Sequence, residues 1–182
     1  MKKNSSKIPY GKNVYDNREI RAVIKTLKNS TQMGKAVNSF ESKVAKTFSK
    51  KYGLMVNSGS SALILAIQVM NFKKGSEIIT PCLNFGTAVS SIILNNLNPV
   101  LVDCKINTLQ IDPDKIEEKI SKKTKAILVP NLIGNVPDWN RLRKIAKNHN
   151  LKIIEDSADT LGATINNRPT GCLLYTSPSP RD

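Results

Sequence analysis

Five short apolar runs, bounded by turn residues and separated by stretches of helical spacing, constrain this chain more than anything else in it. They are Leu54-Met55-Val56, Ile78-Ile79, Val100-Leu101-Val102, Ala126-Ile127-Leu128-Val129 and Ile153-Ile154, with helical segments between them near 60–71, 86–96, 113–121 and 138–149. Runs this short suit strands buried on both faces, and a strand followed repeatedly by a helix returns parallel to its predecessor. The alternation therefore predicts an α/β fold, a mostly parallel sheet with helices on both faces. Two helices precede it. Asp16-Asn17-Arg18-Glu19 has capping-box spacing ahead of Ile20, Val23, Ile24 and Leu27, and from about Ala36 a second stripe runs through Val37, Phe40, Val44 and Phe48, with the Gly34 loop between. Asp112-Pro113 and Pro137-Asp138 read as helix starts, and Ala163–Arg168 as a strand entering an Asn166-Asn167 turn.

Composition narrows the class. A chain of 182 residues with 40% apolar content builds one domain with a real core. No apolar run approaches the ~20 residues that cross a bilayer, and Met1–Lys7 leads into no signal-peptide core, so the expected location is cytoplasmic, with no membrane partner. The formal charge of +14 invites a nucleic-acid partner. Against that, the lysines (Lys25, Lys28, Lys43, Lys46, Lys115, Lys119, Lys144, Lys147) decorate the polar face of every predicted helix without interleaved aromatics, so no nucleic acid is expected. Cys82 and Cys104 have neither CxxC nor metal-ligand spacing and read as buried thiols, and no metal site is expected. His149, the sole histidine, stands at a helix end where a cation complements the dipole.

In an open parallel sheet, ligands sit beyond the carboxyl ends of the strands, so the residues just after the apolar runs are the candidates. Asn57-Ser58-Gly59-Ser60-Ser61-Ala62 joins a run to a helix start, where backbone N–H groups and small hydroxyl residues suit a phosphate or serve simply as caps. Pro81-Cys82-Leu83-Asn84-Phe85-Gly86-Thr87 puts an aromatic at the mouth of the sheet, for stacking on a planar ring or for core packing. Glu155-Asp156-Ser157-Ala158-Asp159-Thr160 puts a carboxylate at the end of an apolar strand. Asp156 needs a cation or donors there, and a protonated pyridine nitrogen or a plain turn both qualify.

Taken in this order, the three places resemble the DegT/DnrJ/StrS family of pyridoxal-phosphate-dependent sugar aminotransferases, which has the aspartate-aminotransferase fold. The resemblance runs from about Ile8 to Gly171. It includes Tyr15-Asp16-Asn17-Arg18-Glu19-Ile20, the Gly34 loop, Val56–Ala62, Pro99-Val100-Leu101-Val102-Asp103, Lys123-Thr124-Lys125-Ala126-Ile127 and Ile154-Glu155-Asp156. It implies pyridoxal or pyridoxamine 5'-phosphate as cofactor, with Ser60 and Ser61 at its phosphate, Phe85 on its ring and Asp156 at its ring nitrogen. A nucleotide-linked 4-keto-6-deoxy sugar is the implied substrate, deoxysugar and polysaccharide biosynthesis the implied setting, and a homodimer the implied state of the full-length protein. The resemblance places the lysine that binds the cofactor covalently beyond Gly171, and no lysine here matches its motif.

Two departures bear on reaction type. Many family aminotransferases carry His or Gln where this chain has Asp159, and a histidine-containing stretch where it reads Pro130-Asn131-Leu132-Ile133-Gly134-Asn135. Asp159 and Gly134-Asn135 look more like the 3-dehydrase branch, which includes CDP-6-deoxy-xylo-4-hexulose-3-dehydrase, uses pyridoxamine phosphate and replaces the lysine with histidine. That makes Asp159 a candidate cofactor-site residue and the enzyme a lyase, with the transferase reaction, transamination, as the alternative. Cysteines that hold an iron–sulfur cluster in some dehydrases would also lie downstream. Residues 172–182, from Cys172 to Asp182, look like translated sequencing adapter. The implied organisation is an N-terminal segment with the first helix (1–35), a partial large domain (36–171) and a non-native tail (172–182), the fragment itself being inactive and poorly soluble.

Overall fold

Where an apolar run finds a neighbour to pair with, it becomes a strand. The computed structural model describes residues 13–29, 31–32 and 34–171; Ile8, the Met1–Lys7 leader, Met33 and the tail from Cys172 lie outside the described residues. Four strands, β1 (Glu77–Pro81), β2 (Asn98–Val102), β3 (Thr124–Pro130) and β4 (Lys152–Asp156), form one sheet in the order β2-β1-β3-β4. All three ladders are parallel, with a register shift between Glu77 and Ile78 where β1 meets β3.

Alternation along the strands divides the core in two. Ile78, Ala126, Leu128 and Ile154 pack with Ile67 of α3 (Gly59–Gln68) and with Ala88 and Ile92 of α4 (Gly86–Leu94). On the other face Ile79, Ile127 and Val129 meet Trp139, Leu142, Ile145 and Ala146 of α5 (Trp139–Asn148). Side chains alternate along an extended strand, so one buried sheet needs two helical covers. A small antiparallel ribbon, β5 (Thr164–Ile165) and β6 (Arg168–Pro169), turns on Asn166 and Asn167, both at positive φ (49° and 61°). Asparagine tolerates that conformation better than most residues.

The chain divides into two compact units, Met1–Ser39 and Phe40–Asp182. α1 (Asn17–Asn29) begins as its capping box requires: the Asp16 N–H donates to Glu19 Oε2 at 2.7 Å. Asp16 Oδ1, however, takes the Arg18 N–H at 2.7 Å rather than that of Glu19. α2 spans Lys35–Thr47, as its stripe predicts.

Two expectations fail. Leu54-Met55-Val56 is not a strand: Leu54 is 77% exposed, and the Met55 N–H donates to Glu41 Oε1 at 2.7 Å. An apolar run forms a strand only if a partner backbone takes its hydrogen bonds, and among the described residues none lies alongside. The segment 113–121 is not an α-helix but two 3₁₀ turns, Pro113–Lys115 and Glu117–Lys119. Pro113 and Ile116 are both buried, and three residues per turn bring positions i and i+3 onto one side.

The eight lysines that decorate the predicted helices are all exposed, on a solvated surface. Among the described residues no helix is long and apolar enough to cross a membrane, and no group of three or more His, Cys, Asp and Glu could hold a metal ion.

Candidate active site at the strand tips

The order β2-β1-β3-β4 reverses direction between β1 and β3, so the crevice past their carboxyl ends is where such a sheet takes a ligand. β1 ends at Pro81 and leads into Cys82–Phe85; β3 ends at Pro130 and leads into Asn131. Asn131 then reaches across to β4, its N–H donating to the Asp156 carbonyl at 2.8 Å.

Asp156 closes β4 and is half-buried. Its Oδ1 accepts the Ala158 N–H at 3.1 Å, an Asx-type turn, while Oδ2 has no partner among the described residues. The carboxylate is thus anchored at one oxygen and open at the other. Glu155, on the alternate face, is consumed by structure: its Oε1 accepts from Asn131 Nδ2 (3.0 Å), Ser157 Oγ (2.9 Å) and the Gly171 N–H (2.6 Å). Its buried Oε2 is unpartnered. Gly171 is required at this closure: its φ is +80°, and a Cβ there would stand 2.9 Å from Phe48 Cδ1.

The serine turn forms as a helix start. Ser58 caps α3, its Oγ accepting the Ser61 N–H at 3.1 Å and donating to Ser61 Oγ at 3.0 Å. The Ala62 N–H reaches the Ser58 carbonyl, which leaves the N–H groups of Gly59 and Ser60 without a partner among the described residues. Two free donors at a helix N-terminus, flanked by half-buried Ser60 and Ser61, suit an anion. Gly59 and Asp156 line one cleft of about 460 Å³, together with Ala62, Leu63 and Ala66 of α3. Ser60, Ser61, Phe85 and Asp159 do not line it.

Phe85 is 69% exposed, so core packing is not what it does. It stands at the N-cap of α4, held by its N–H to Asn84 Oδ1 at 2.7 Å, while Asn84 Nδ2 grips Thr80 Oγ1 at 3.1 Å. Asp159 is exposed, and its Oδ2 accepts the Ile133 N–H at 3.0 Å. Ile133 has φ 50° and ψ 37°, a left-handed conformation that strains a β-branched residue. Asp159 therefore fastens the loop that contains Gly134-Asn135, and the two departures from the aminotransferase pattern are physically one feature.

Sequence reasoning missed Asn131. It is 1% exposed and accepts from Trp139 Nε1 at 2.9 Å while donating to Glu155 and to Ser157 Oγ. Its one sequence signal is an amide residue just past the longest apolar run, one proline beyond Val129. Cys82, expected buried, is exposed and Cys104 only half-buried, because the strand that shields its neighbours stops at Pro81. His149 caps the end of α5, with Nε2 3.2 Å from Glu117 Oε1, as its position predicts.

Comparison with known proteins gives the family. The profile of the DegT/DnrJ/EryC1/StrS aminotransferase family matches residues 13–176. A GDP-4-keto-6-deoxy-D-mannose 3-dehydratase of Yersinia pseudotuberculosis is 34% identical over 178 residues, covering 94% of this chain and 45% of that protein. A dTDP-3-amino-3,6-dideoxy-alpha-D-galactopyranose transaminase of Aneurinibacillus thermoaerophilus is 42% identical over 141 residues, covering 78% of this chain and 39% of that protein. Among solved structures, the E. coli GDP-4-keto-6-deoxy-D-mannose-3-dehydratase with bound hydrated PLP superposes with a TM-score of 0.84 at 36% identity, covering 90% of this chain and 44% of that one. A Streptococcus pneumoniae protein assigned as a sugar aminotransferase, in its PMP form, gives 0.85 at 28% identity, covering 90% and 45%. The chain spans about half the length of the relatives it matches.

Proposed function

Because the chain belongs to the DegT/DnrJ/EryC1/StrS aminotransferase family, we propose that it is part of an enzyme using pyridoxal or pyridoxamine 5'-phosphate on a nucleotide-linked 4-keto-6-deoxy sugar. In this reading 1–35 is an entry segment, 36–171 belongs to the large domain, and 172–182 lies outside it. The enzyme works in the cytoplasm, in deoxysugar and polysaccharide biosynthesis.

The observation that carries the proposal is a cleft lined both by Gly59, at a helix start with free N–H donors, and by Asp156, whose carboxylate has one open oxygen. The N–H groups of Gly59 and Ser60, with the hydroxyls of Ser60 and Ser61, would bind the phosphate. Phe85, exposed and fastened by Asn84, would cover the ring. Asp156 would keep a proton on the ring nitrogen through Oδ2, its other oxygen being held by Ala158. When bound, the cofactor supplies an electron sink for bond breaking at the sugar. Asp159 contributes by fixing the Asn131–Asn135 loop beside the Asp156 carbonyl.

We favour 3-dehydration. The dehydratase relatives span 94% and 90% of the chain, and the Asp159–Ile133 link joins both positions that depart from the aminotransferase pattern. The 42% identity to a transaminase supports the alternative, transfer of nitrogen to the sugar. The full-length protein is read as a homodimer. α3 and α4 are apolar on most sides, yet Leu65, Val69, Ile93 and Leu94 are 37–76% exposed, a surface that suits a second subunit.

The test uses the intact gene product. Titration with pyridoxal and pyridoxamine phosphate is expected to shift the near-ultraviolet band of the ring, and GDP-4-keto-6-deoxy-D-mannose to lose its C3 hydroxyl. Amino transfer from glutamate without loss of that hydroxyl would establish the alternative. No spectral change with either cofactor, together with salt-sensitive DNA binding, would overturn both.

A further inference from the structure

Cys82 and Cys104 lie 22 positions apart in sequence, yet the sheet brings them together. The Cys82 N–H donates to the Val102 carbonyl at 2.8 Å, closing the Pro81–Val102 pair at the ends of β1 and β2. Cys104 follows two residues after β2 ends, in an antiparallel bridge with Ile111. A disulfide needs the two Cα atoms within about 7 Å, and a shared contact brings these residues near one another. Both residues also converge on one carboxylate oxygen. Asp103 Oδ1 lies 3.7 Å from Cys82 Sγ and accepts the Cys104 N–H at 2.8 Å, while Lys115 holds Oδ2 at 2.9 Å. The Leu83 N–H and the Cys82 thiol both act on the Cys104 sulfur, the first lowering and the second raising its titration.

We propose that Cys82 and Cys104 are a redox-modification site, closing to a reversible disulfide that clips the end of β1 to the end of β2. Exposure divides the roles: Cys82 is open to solvent and Cys104 is half-buried. Burial, with the neighbouring thiol and Asp103 adding to it, pushes the Cys104 thiol above its ordinary value, so Cys82 is the sulfur that meets an oxidant first. With hydrogen peroxide, Cys82 attacks an oxygen and the O–O bond breaks, giving a sulfenic acid and one water. Cys104 then attacks that sulfur, forming the S–S bond and releasing a second water. Two thiols have lost two electrons and two protons, and peroxide has become two waters. A small-molecule dithiol reverses the step by exchange. Asp103 touches both residues, yet among the described residues no group of three or more His, Cys, Asp and Glu could hold a metal ion, which separates the pair from a metal site. The clip would restrain the loop leading to Phe85, three residues on from Cys82.

The experiment treats the intact gene product with hydrogen peroxide, alkylates remaining thiols and maps the peptides by mass spectrometry, with no cofactor needed. A Cys82–Cys104 cross-linked peptide, lighter by two hydrogens and lost on reduction, is expected. Cys104→Ser and Cys104→Ala should instead trap a dimedone-reactive sulfenic acid on Cys82, and Cys82→Ser should leave Cys104 alkylatable. The preference for this pair over pairs with any other cysteine should vanish in urea. Oxidation of Cys82 with Cys104 left free in the wild-type chain, or equal cross-linking native and in urea, would overturn the proposal.

Discussion

The interior of the sheet and its carboxyl tips follow opposite rules. Inside, Ile78, Ile79, Ala126, Ile127 and Leu128 are fully buried and every strand is paired in parallel register. At the tips, Gly59 and Ser60 keep free N–H groups, Phe85 is mostly in solvent, Asp156 has an open oxygen and Ile133 is strained. The same chain satisfies its hydrogen bonds in one place and leaves them unmet a few residues later. Local rules that are obeyed build the scaffold, and the places where they are broken are where the proposed cofactor would complete them.

The sharpest way to break that contrast is a substitution that changes a tip without touching the scaffold. Asp156→Asn keeps the acceptor for Ala158 but loses the charge, so in the intact gene product turnover should fall about 10²–10⁴-fold with an unchanged denaturation midpoint. Wild-type kinetics would remove Asp156 from the site. The reverse experiment targets the interior. Ile127→Ala, at a fully buried position, should cost about 2–5 kcal/mol in urea unfolding, whereas Leu54→Ala in the unpaired run should stay within about 0.5 kcal/mol. Equal losses would mean that the 54–56 run is as buried as a strand.

Asn131 joins the two regions. Asn131→Ala strands the buried Trp139 indole N–H and takes a donor from Glu155. It should cost about 1–3 kcal/mol and, in the intact gene product, weaken cofactor binding through the displaced end of β4. A stability loss with no change in cofactor affinity would confine Asn131 to the scaffold.

The smallest effect is electrostatic and lies away from both regions. Asp114 is held at about 2, below its ordinary 3.8, by hydrogen bonds from Arg141 and Lys105. A carboxylate lowered on folding adds stability above its unfolded value. That contribution is lost as pH falls from about 4 toward about 2. Asp114→Asn should flatten this part of the stability profile in acid titrations followed by circular dichroism, and an unaltered profile would show the pair to be inert. Asp114 is exposed, so salt should weaken the effect.

Much of the fold was legible because it is written locally. Four of five apolar runs became strands, the Asp112 and Asp138 side chains cap the turns they precede, and the paired asparagines make the β5–β6 turn. Pro137 precedes the cap at Asp138 instead of opening α5, a local detail the dipeptide alone left open. At the site, residue type and position after an apolar run marked the 57–62 turn, Phe85 and Asp156, and the resemblance singled out Ser60 and Ser61 within that turn. What each touches was not legible. Asp159 was singled out by resemblance, but its bond to Ile133 depends on two loops meeting, and Glu155, beside Asp156 in sequence, is spent on structure.

By itself, then, the order of amino acids determined which segments want to be extended, which want to coil and where each begins, since periodicity and capping act over a few residues. Tertiary structure alone decided that 54–56 stays unpaired, that 113–121 tightens into two turns, that Asn131 ties β3 to β4, and that the Cys82 thiol meets the carboxylate that holds the Cys104 N–H. Those outcomes depend on which backbone lies alongside which, and pairing between segments tens of residues apart leaves no mark in the spacing of either one.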